Sequence, residues 1–476
     1  MRILLLLAIA LLGAAPVHAS SGDEAGVRRA FLFAFPLYKI AQTRAAALAR
    51  EPAVGVDGFN RFVHRPVLSD ASSRAVTTPN NDTLYSSAWI DVSGGPVVLD
   101  MPALPARYHS VALMSPFSDN FAVLGTRNQN GRGGRFLLTG PEWKGKVPAG
   151  MTRIAMPTDD AWALLRVLVD GPTDLPAAAA AQARFSLAPL APGQTTRAWR
   201  IPTPPQPSGA ELLEAANAAL GRGAMPADRA RIAASLRPFG ITPGQIGAWN
   251  RLAPDVQRTW KLLLPRLMTE LHGGFAAVGT TRAGWSYPRP GMGDFGNDEF
   301  YRAAVALGGL AALPAAEAVY LTAVGDRAGA PLLGSSSYRL TLPRDVPVDG
   351  FWSLSMYEIA PDGRLFFTPN PLDRFAIGNR TAGFNRNPDG SLELLIQYAD
   401  PGSGKRANWL PAPSGPFRLT FRAYLPRPAF FARPFRLAPL AVLEVGSATN
   451  QIGAVSRIAT RLRLTQLSLE QGPFRP

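Results

Sequence analysis

The chain contains no cysteine. Disulfides, thiolate nucleophiles and cysteine-ligated metals are excluded together, so its stability has to come from ordinary burial. Histidine is nearly absent too: His18, His64, His109 and His272 are the only four, and they form neither an imidazole cluster nor a zinc-type spacing. No Gly-x-Ser-x-Gly elbow occurs, and Gly334-Ser335-Ser336-Ser337 lacks the strand-turn-helix setting of a nucleophile. Phosphate-loop motifs are missing. Gly291-Met292-Gly293-Asp294-Phe295-Gly296 has dinucleotide-type glycine spacing but continues no βαβ unit. Past the N-terminus nothing approaches the ~18 uninterrupted apolar residues of a membrane span.

Lysine is scarce as well. Lys39, Lys144, Lys146, Lys261 and Lys405 are the only five among 49 basic residues, so 44 are arginine. The planar guanidinium suits carboxylate, phosphate or sulfate recognition, although a coding bias explains such richness equally well. The arginines are scattered without a basic run, so nucleic acid is not an expected partner despite the net charge of +15. Attraction to an anionic substrate or an acidic surface polymer fits that charge.

At the N-terminus, Met1-Arg2, an apolar run over 3–15 and Val17-His18-Ala19 make a basic start, a hydrophobic region and a small-x-small cleavage site. Residues 1–19 therefore read as a cleaved secretory signal. The alternative, a membrane anchor, is opposed by the shortness of the run and by Pro16. The expected mature protein is periplasmic or secreted, with no transmembrane segment. Its hydrophobic fraction of 47% over 476 residues supports two or three cores, and 45 Gly with 45 Pro between short apolar runs favour strands and turns.

The most chemically dense stretch is Thr77-Thr78-Pro79-Asn80-Asn81-Asp82-Thr83-Leu84-Tyr85-Ser86-Ser87-Ala88-Trp89-Ile90. Pro79 pushes Thr78 extended, and Asn80, Asn81 and Asp82 are turn formers. Beyond this bend, period-two alternation puts Tyr85, Ser87, Trp89 and Asp91 on one face of a strand. Leu84, Ser86, Ala88, Ile90 and Val92 take the core side.

Along the chain, residues 23–50 read as a helix kinked or split at Pro36. Residues 59–73 read as loop, with His64 just before Arg65-Pro66. Short strands are expected over 97–102, 108–113, 120–124, 134–138 and 162–168, the pattern of a sandwich or barrel. A proline-rich linker over 201–208 leads to helices over 211–220, 226–236 and 254–271, with another over 298–313. Strands return over 338–342, 351–359, 392–398 and 417–424, with Asn387-Pro388-Asp389-Gly390 as a hairpin turn. In the tail, 434–445 is apolar enough to dock on the body, while 447–476 reads as a basic helix or strand pair.

Pro79-Asn80-Asn81-Asp82-Thr83-Leu84-Tyr85-Ser86, with Arg107-Tyr108, Gly140-Pro141-Glu142-Trp143 and Pro157-Thr158, resembles the domain-of-unknown-function family 1254. Phe351-Trp352-Ser353-Leu354-Ser355-Met356-Tyr357, with Asn370-Pro371, Arg374-Phe375-Ala376-Ile377 and Asn408-Trp409-Leu410-Pro411-Ala412-Pro413, is similar to family 1214. The resemblance implies an exported bacterial two-domain protein of mostly β architecture and no reaction. The chain then divides into a signal (1–19), an N-terminal helix and loop (20–58), a β domain (59–200) and a linker with helical insert (201–285). A helix plus second β domain (286–428) and a C-terminal extension (429–476) complete it. The fold class expected is mainly β with helical segments, two β-sandwich or jelly-roll-like domains joined by the insert.

For chemistry, Asp82, Asp91 and Asp119 are the acids available for general acid–base work on a glycoside or similar polar substrate. Asp82 and Tyr85 are the catalytic candidates, with a turn cap as the ordinary role of Asp82. Asn80, Asn81, Trp89, Arg107, Tyr108, Arg127 and Tyr357 are the candidate ligand-binding residues, alongside the amide of Asn120. Trp352 and Trp409 read as core. Calcium, through the loops 80–82 or 385–389, is the one metal left open, and no cofactor is evident. Ser353, Ser355 and Tyr357 share a polar strand face like that of Tyr85, so a site at the domain junction is expected. It would bind a small polar or anionic, carbohydrate-like ligand, with hydrolysis one outcome and a non-catalytic envelope-associated binding or structural module the other. A homo-oligomer stays open.

Overall fold

The computed structural model describes residues 21–50, 58–74, 76–197, 199, 201–277, 279–432 and 435–443. The signal expected over 1–19 and the basic segment expected over 447–476 lie outside the described residues. Within them, twenty strands form four sheets that pair into two sandwiches.

Sandwich N has an inner sheet of order β1-β2-β8-β4-β5, made of β1 (Val63–Arg65), β2 (Thr83–Asp91), β8 (Asp160–Leu168), β4 (His109–Met114) and β5 (Asn120–Gly125). Its outer sheet, β7-β6-β3-β9, is β7 (Met151–Ala155), β6 (Gly134–Thr139), β3 (Val97–Met101) and β9 (Ser186–Pro189). Alternation drives this pairing. Ala88, Ile90, Val111, Leu113, Leu165 and Val167 from the inner sheet meet Val97, Leu99 and Leu138 from the outer one in a core with no accessible surface to speak of. Each such aliphatic contributes about 1.5–3 kcal/mol on burial.

Sandwich C repeats the plan. Its inner sheet runs β10-β11-β12-β19-β14-β15, from β10 (Gly279–Arg282), β11 (Trp285–Pro288), β12 (Ala318–Ala323), β19 (Phe417–Tyr424), β14 (Trp352–Ile359) and β15 (Leu365–Phe366), with β16 (Ala376–Gly378) also on β14. The outer sheet, β18-β17-β13-β20, is β18 (Trp409–Pro411), β17 (Leu392–Gln397), β13 (Ser337–Leu342) and β20 (Ala441–Leu443). Taken in chain order, β2, β3, β4, β5, β6, β7, β8 and β9 have the same neighbours as β12, β13, β14, β16, β17, β18, β19 and β20. The correspondence extends to the one parallel pair in each sandwich, β6 with β7 and β17 with β18. The two halves are one topology used twice.

Small backbone details repeat with it. Val169 donates its N–H to the Asp82 carbonyl, and Leu425 donates to that of Glu317; Leu168 donates to Tyr108, and Tyr424 to Phe351. Gly125 and Gly378 sit where an added Cβ would lie 2.2 Å from the His109 carbonyl and 2.3 Å from that of Trp352. Short helices follow β5 (α2, Thr126–Gln129), β8 (α3, Leu175–Gln182) and β19 (α8, Pro428–Phe431). Leu437 and Leu440 dock the apolar tail before β20 joins the outer sheet.

Helix α1 (Ser21–Leu48) continues through Pro36, so of the two expected outcomes the split does not occur. Phe33, Ala34, Phe35, Leu37 and Tyr38 are all buried, so the helix is enclosed, and its surroundings outweigh the one hydrogen bond that proline removes. It packs with α4 (Gly209–Leu220), α5 (Ala227–Ser235), α6 (Pro254–Ala277) and α7 (Glu299–Gly308) in one core that includes Leu212, Trp260, Leu271 and Tyr301. The N-terminal helix, the insert and the helix expected to belong with the second β domain thus form a single helical unit. Ser208 starts α4 with a capping box, accepting from Glu211 N while the Glu211 carboxylate takes the Ser208 N–H at 2.8 Å. Asp298 caps α7 through Tyr301 N at 2.9 Å. That helix ends at Gly308 rather than 313.

Candidate functional site

The outward faces of the two inner sheets meet. On sandwich N the cross-strand row is Tyr85, Arg166, Ser110, Gly125, read across β2, β8, β4 and β5. On sandwich C the corresponding row is Tyr320, Arg422, Ser353, Gly378, across β12, β19, β14 and β16. Tyrosine, arginine, serine and glycine recur in the same order on equivalent strands.

Two carboxylates tie these faces together, each gripped by the opposite half. Asp82, just before β2, accepts from Ser353 Oγ at 2.6 Å and from Arg380 Nη2 at 2.7 Å. Glu317, just before β12, accepts from the Tyr108 hydroxyl at 2.8 Å and from Arg127 Nε at 2.8 Å. Arg127 follows β5 as Arg380 follows β16, so the exchange is reciprocal. The arrangement is that of an isologous dimer interface built within one chain. Burial raises the pKa of Glu317, opposed by Arg127 and Tyr108. Between the latches Tyr108, Phe351 and Tyr424 pack ring to ring, Phe351 stacked on Tyr424 at 4.2 Å. Burial also raises the Tyr108, Tyr357 and Tyr424 hydroxyl pKa values, so all three are neutral phenols.

The loops preceding β2 and β12 cross over as well. Residues 77–79 lie on the inner sheet of sandwich C: Thr78 and Pro79 carbonyls accept from Arg422 Nη2, and Tyr357 donates to the Pro79 carbonyl at 2.5 Å. Residues 309–317 lie on the inner sheet of sandwich N, where the Ala311 carbonyl accepts from Arg166 Nη2 at 3.0 Å.

Here the equivalence fails. Arg422 gives Nη1 to Ser355 Oγ at 2.6 Å and Nη2 to the Tyr357 hydroxyl at 2.7 Å as well as to the loop. Arg166 is equally buried, yet its Nε and Nη1 meet no acceptor among the described residues. Its guanidinium lies 5.4 Å from the Tyr85 ring centre, with Tyr320, Tyr424 and Tyr108 within electrostatic range. Around it Tyr85, Ser87, Trp162, Leu164, Tyr320 and Thr322 are only half-buried, whereas the outward residues Ser110, Ala112 and Met114 of β4, Ser353, Ser355 and Tyr357 of β14, and Thr420, Arg422 and Tyr424 of β19 are buried. The half-buried strip along β2, β8 and β12 thus lies beside a buried guanidinium whose Nε and Nη1 have no acceptor among the described residues.

The sequence-predicted residues fall into two groups. Asn80, Asp82, Tyr85, Tyr108, Arg127 and Tyr357 gather at the junction; Asn80 donates to the Tyr424 hydroxyl at 2.7 Å and accepts from Asp82 N. Away from that strip, Asn81 holds the Ser69 carbonyl, and Arg107 is bound to Asp174 and the Leu168 carbonyl. Trp89 stacks on Trp162 at 5.1 Å beside Ile40 of α1. Asp91 lies in a separate ionic seam toward the helical unit, reached by Arg222 at 3.0 Å, while Asp160 takes Arg44 at 2.6 Å. Asp119 faces Arg302 and the Phe295 N–H, and Asn120 holds the Gly293 and Ala312 carbonyls. His64 sits on the short strand β1, inside a segment expected to be loop, against Ser86 Oγ at 2.7 Å.

Trp352 and Trp409 are both core residues. Among the described residues no three His, Asp or Glu side chains come together as a metal site. A separate hollow of about 270 Å³ lies on sandwich C among Pro369, Pro371, Pro411, Pro413 and Tyr398, but its one carboxylate, Glu358, is engaged by Arg74 at 2.7 Å.

Arg166, Arg422, Glu317, Tyr320, Arg380 and Tyr424 were not singled out from sequence. A signal was available: Pro79-Asn80-Asn81-Asp82-Thr83-Leu84-Tyr85 is echoed by Pro314-Ala315-Ala316-Glu317-Ala318-Val319-Tyr320, and Gly125-Thr126-Arg127-Asn128 by Gly378-Asn379-Arg380-Thr381.

Family models match the chain twice, "Protein of unknown function (DUF1254)" over 59–189 and "Protein of unknown function (DUF1214)" over 317–428. These ranges fall on sandwich N and sandwich C. No curated protein matches. Among solved structures, the VPA0106 protein from Vibrio parahaemolyticus aligns over 89% of this chain and 100% of its own, at 21% identity and a TM-score of 0.69, which shows the fold. An uncharacterized protein from Burkholderia cenocepacia aligns over 89% of this chain and 94% of its own, at 12% identity and a TM-score of 0.43.

Proposed function

The chain belongs to the DUF1254 and DUF1214 families, and from that premise we propose that it is an exported protein that binds a small anionic ligand in the cleft between its two sandwiches. The observation that carries this reading is Arg166. A buried guanidinium with donors unmet is a costly state, roughly 1–3 kcal/mol for each unsatisfied group and more where charge is involved. Its equivalent, Arg422, gives Nη1 to Ser355 and Nη2 to Tyr357 and the Thr78 and Pro79 carbonyls, so the two guanidiniums differ in how far protein groups serve them. An acidic ligand entering from the half-buried side relieves the deficit at Arg166.

Binding is favoured over hydrolysis by the state of Asp82. Each of its oxygens accepts a hydrogen bond, one from Ser353 and one from Arg380, and the side chain is buried, so the carboxylate is held as a link between the halves instead of facing a substrate. Tyr85 keeps an accessible position beside Arg166 and is the group that touches ligand. The signal-like pattern of residues 1–19 supports a location in the periplasm or outside the cell.

Native mass spectrometry of protein recovered from the periplasm of an expressing host tests the reading, wild type beside Arg166→Met. A wild-type adduct that dissociates at low pH and is missing from the variant supports it. Identical spectra, together with a wild-type melting temperature unmoved by any small anion, would sink it. The same spectra read the N-terminus; a mass that still includes residues 1–19 removes the export half of the proposal.

A further inference from the structure

We infer that the ligand at Arg166 is a carboxylate carried on a flat apolar body, such as an aromatic acid, rather than a phosphate or phosphoester; this rests on the cleft reading above. The first ground is the guanidinium. Of its five N–H donors, Nη2 spends one on the Ala311 carbonyl. Whichever Nη2 hydrogen that is, one complete two-pronged edge remains, Nε with Nη2 or Nη1 with Nη2. A two-pronged edge matches the two in-plane oxygens of a carboxylate.

The second ground is what the surroundings lack. Phosphate sites draw on backbone N–H groups at helix starts and glycine-rich turns. The floor here is strand: β2 and β8 are paired on both sides at Tyr85 and Arg166, and β12 is paired with β19 through Tyr320, so no helix start or glycine-rich turn presents its N–H groups beside the guanidinium. The side-chain donors at hand are one guanidinium fork and the Tyr85 and Tyr320 hydroxyls, for which no protein partner is found among the described residues. That set serves two oxygens well and four poorly. The third ground is charge. Four guanidiniums at the junction, Arg127, Arg166, Arg380 and Arg422, face two carboxylates, Asp82 and Glu317, so an arriving anion reduces an imbalance. The remaining walls are the rings of Tyr85 and Tyr320 with Trp162 and Leu164, surfaces for a planar body.

Isothermal titration calorimetry with benzoate, cyclohexanecarboxylate, inorganic phosphate and phenyl phosphate decides the matter, on wild type, Arg166→Lys and Tyr320→Phe, each checked for native circular dichroism. Benzoate is expected to bind at least tenfold more tightly than inorganic phosphate or phenyl phosphate. Arg166→Lys keeps the charge but loses the fork and should weaken benzoate tenfold or more; Tyr320→Phe should weaken it a few-fold. Arg166-dependent phosphate or phenyl phosphate binding that equals or exceeds that of benzoate overturns the carboxylate assignment and leaves the cleft standing. So does the absence of carboxylate binding alongside an Arg166-dependent adduct in the native spectra. Benzoate binding unchanged in Arg166→Lys overturns the assignment as well, and no anion binding with no adduct overturns both.

Discussion

Replacing Asp82 by asparagine removes one charge from the junction while keeping the side chain's size, and the structure sets what that should cost. The carboxylate is buried and takes two hydrogen bonds, from Ser353 Oγ and from Arg380. Breaking a buried ion pair by neutralising one partner costs about 3–5 kcal/mol, because the other charge is left uncompensated. Arg380 is not wholly stranded: it also donates to the Val169 carbonyl, lies over the Phe351 ring at 4.6 Å, and its side chain is 17% exposed. The expected loss is therefore near the lower end of that range, about 3 kcal/mol. Arg380→Met should lose a similar amount, and the double variant should lose much less than the sum, with a coupling energy of roughly 2 kcal/mol. Urea unfolding followed by tryptophan fluorescence measures all four members of the cycle. Glu317→Gln with Arg127→Met repeats the experiment on the equivalent latch, weakened by the 37% exposure of the Arg127 side chain. An Asp82→Asn variant within about 0.5 kcal/mol of wild type, the ordinary range of a surface substitution, would refute the latch. A coupling energy near zero would do the same.

Burial lowers the pKa of His109, whose Nδ1–H donates to the Arg107 carbonyl at 3.0 Å while Nε2 has no partner among the described residues. The native ring is neutral, so its contribution to stability is whole above the unfolded histidine pKa of about 6.5 and is lost as pH falls through that value toward the folded one. His64 is lowered in the same way. Unfolding free energies measured between pH 7.5 and 5 should fall with acid in wild type and fall less steeply in His109→Phe; parallel slopes would contradict this. Gly378→Ala and Gly125→Ala each push a Cβ against a neighbouring carbonyl and should destabilise by roughly 1–3 kcal/mol in calorimetry. Gly125 should be the worse of the two, because its φ of 142° adds strain. Finally, purified protein tested on glycoside, ester and phosphoester panels should show no turnover that Asp82→Asn abolishes without unfolding. Loss of a real activity in that variant at normal stability would favour hydrolysis over binding alone.

Where each strand carries its own pattern, the sequence is readable. The alternation through Tyr85, Ser87 and Trp89 against Leu84, Ala88 and Ile90 is the face assignment of β2, and the same is true of Trp352, Leu354 and Met356 in β14. Where pairing depends on distant partners, it is not. The edge strands β7 and β9 and the short β10, β16, β18 and β20 lack a hydrophobic period and exist because a neighbour offers a ladder. Pro36 reads as a break because local propensity is all that a sequence shows at that point; enclosure of α1 in the core shared with α4, α5, α6 and α7 decides otherwise. The arginine at the centre of the site escaped for a similar reason. Arg166 stands in Leu164-Leu165-Arg166-Val167-Leu168, a run that reads as core, and its role depends on which sheet lies opposite. Glu317 was missed because β12 follows a helical stretch without a turn of its own kind. The repeated Pro-x-x-acid-x-aliphatic-Tyr motif would have linked both, but one weak seven-residue echo across two halves is visible only once the strands are superposed in the mind as equivalents.

Two halves that clasp as the subunits of a dimer would, yet share one backbone, meet at an effective concentration fixed by their connection instead of by how much protein is present. For short flexible tethers that concentration is of mM order, and here the connection is itself the folded helical unit, whose continuation over 309–317 lies on the inner sheet of sandwich N. Separation of the sandwiches is then a unimolecular step, insensitive to dilution. For the export proposed above this matters: after release into a large volume the two halves would stay paired as they do in a crowded compartment, because the two ionic latches act within one chain.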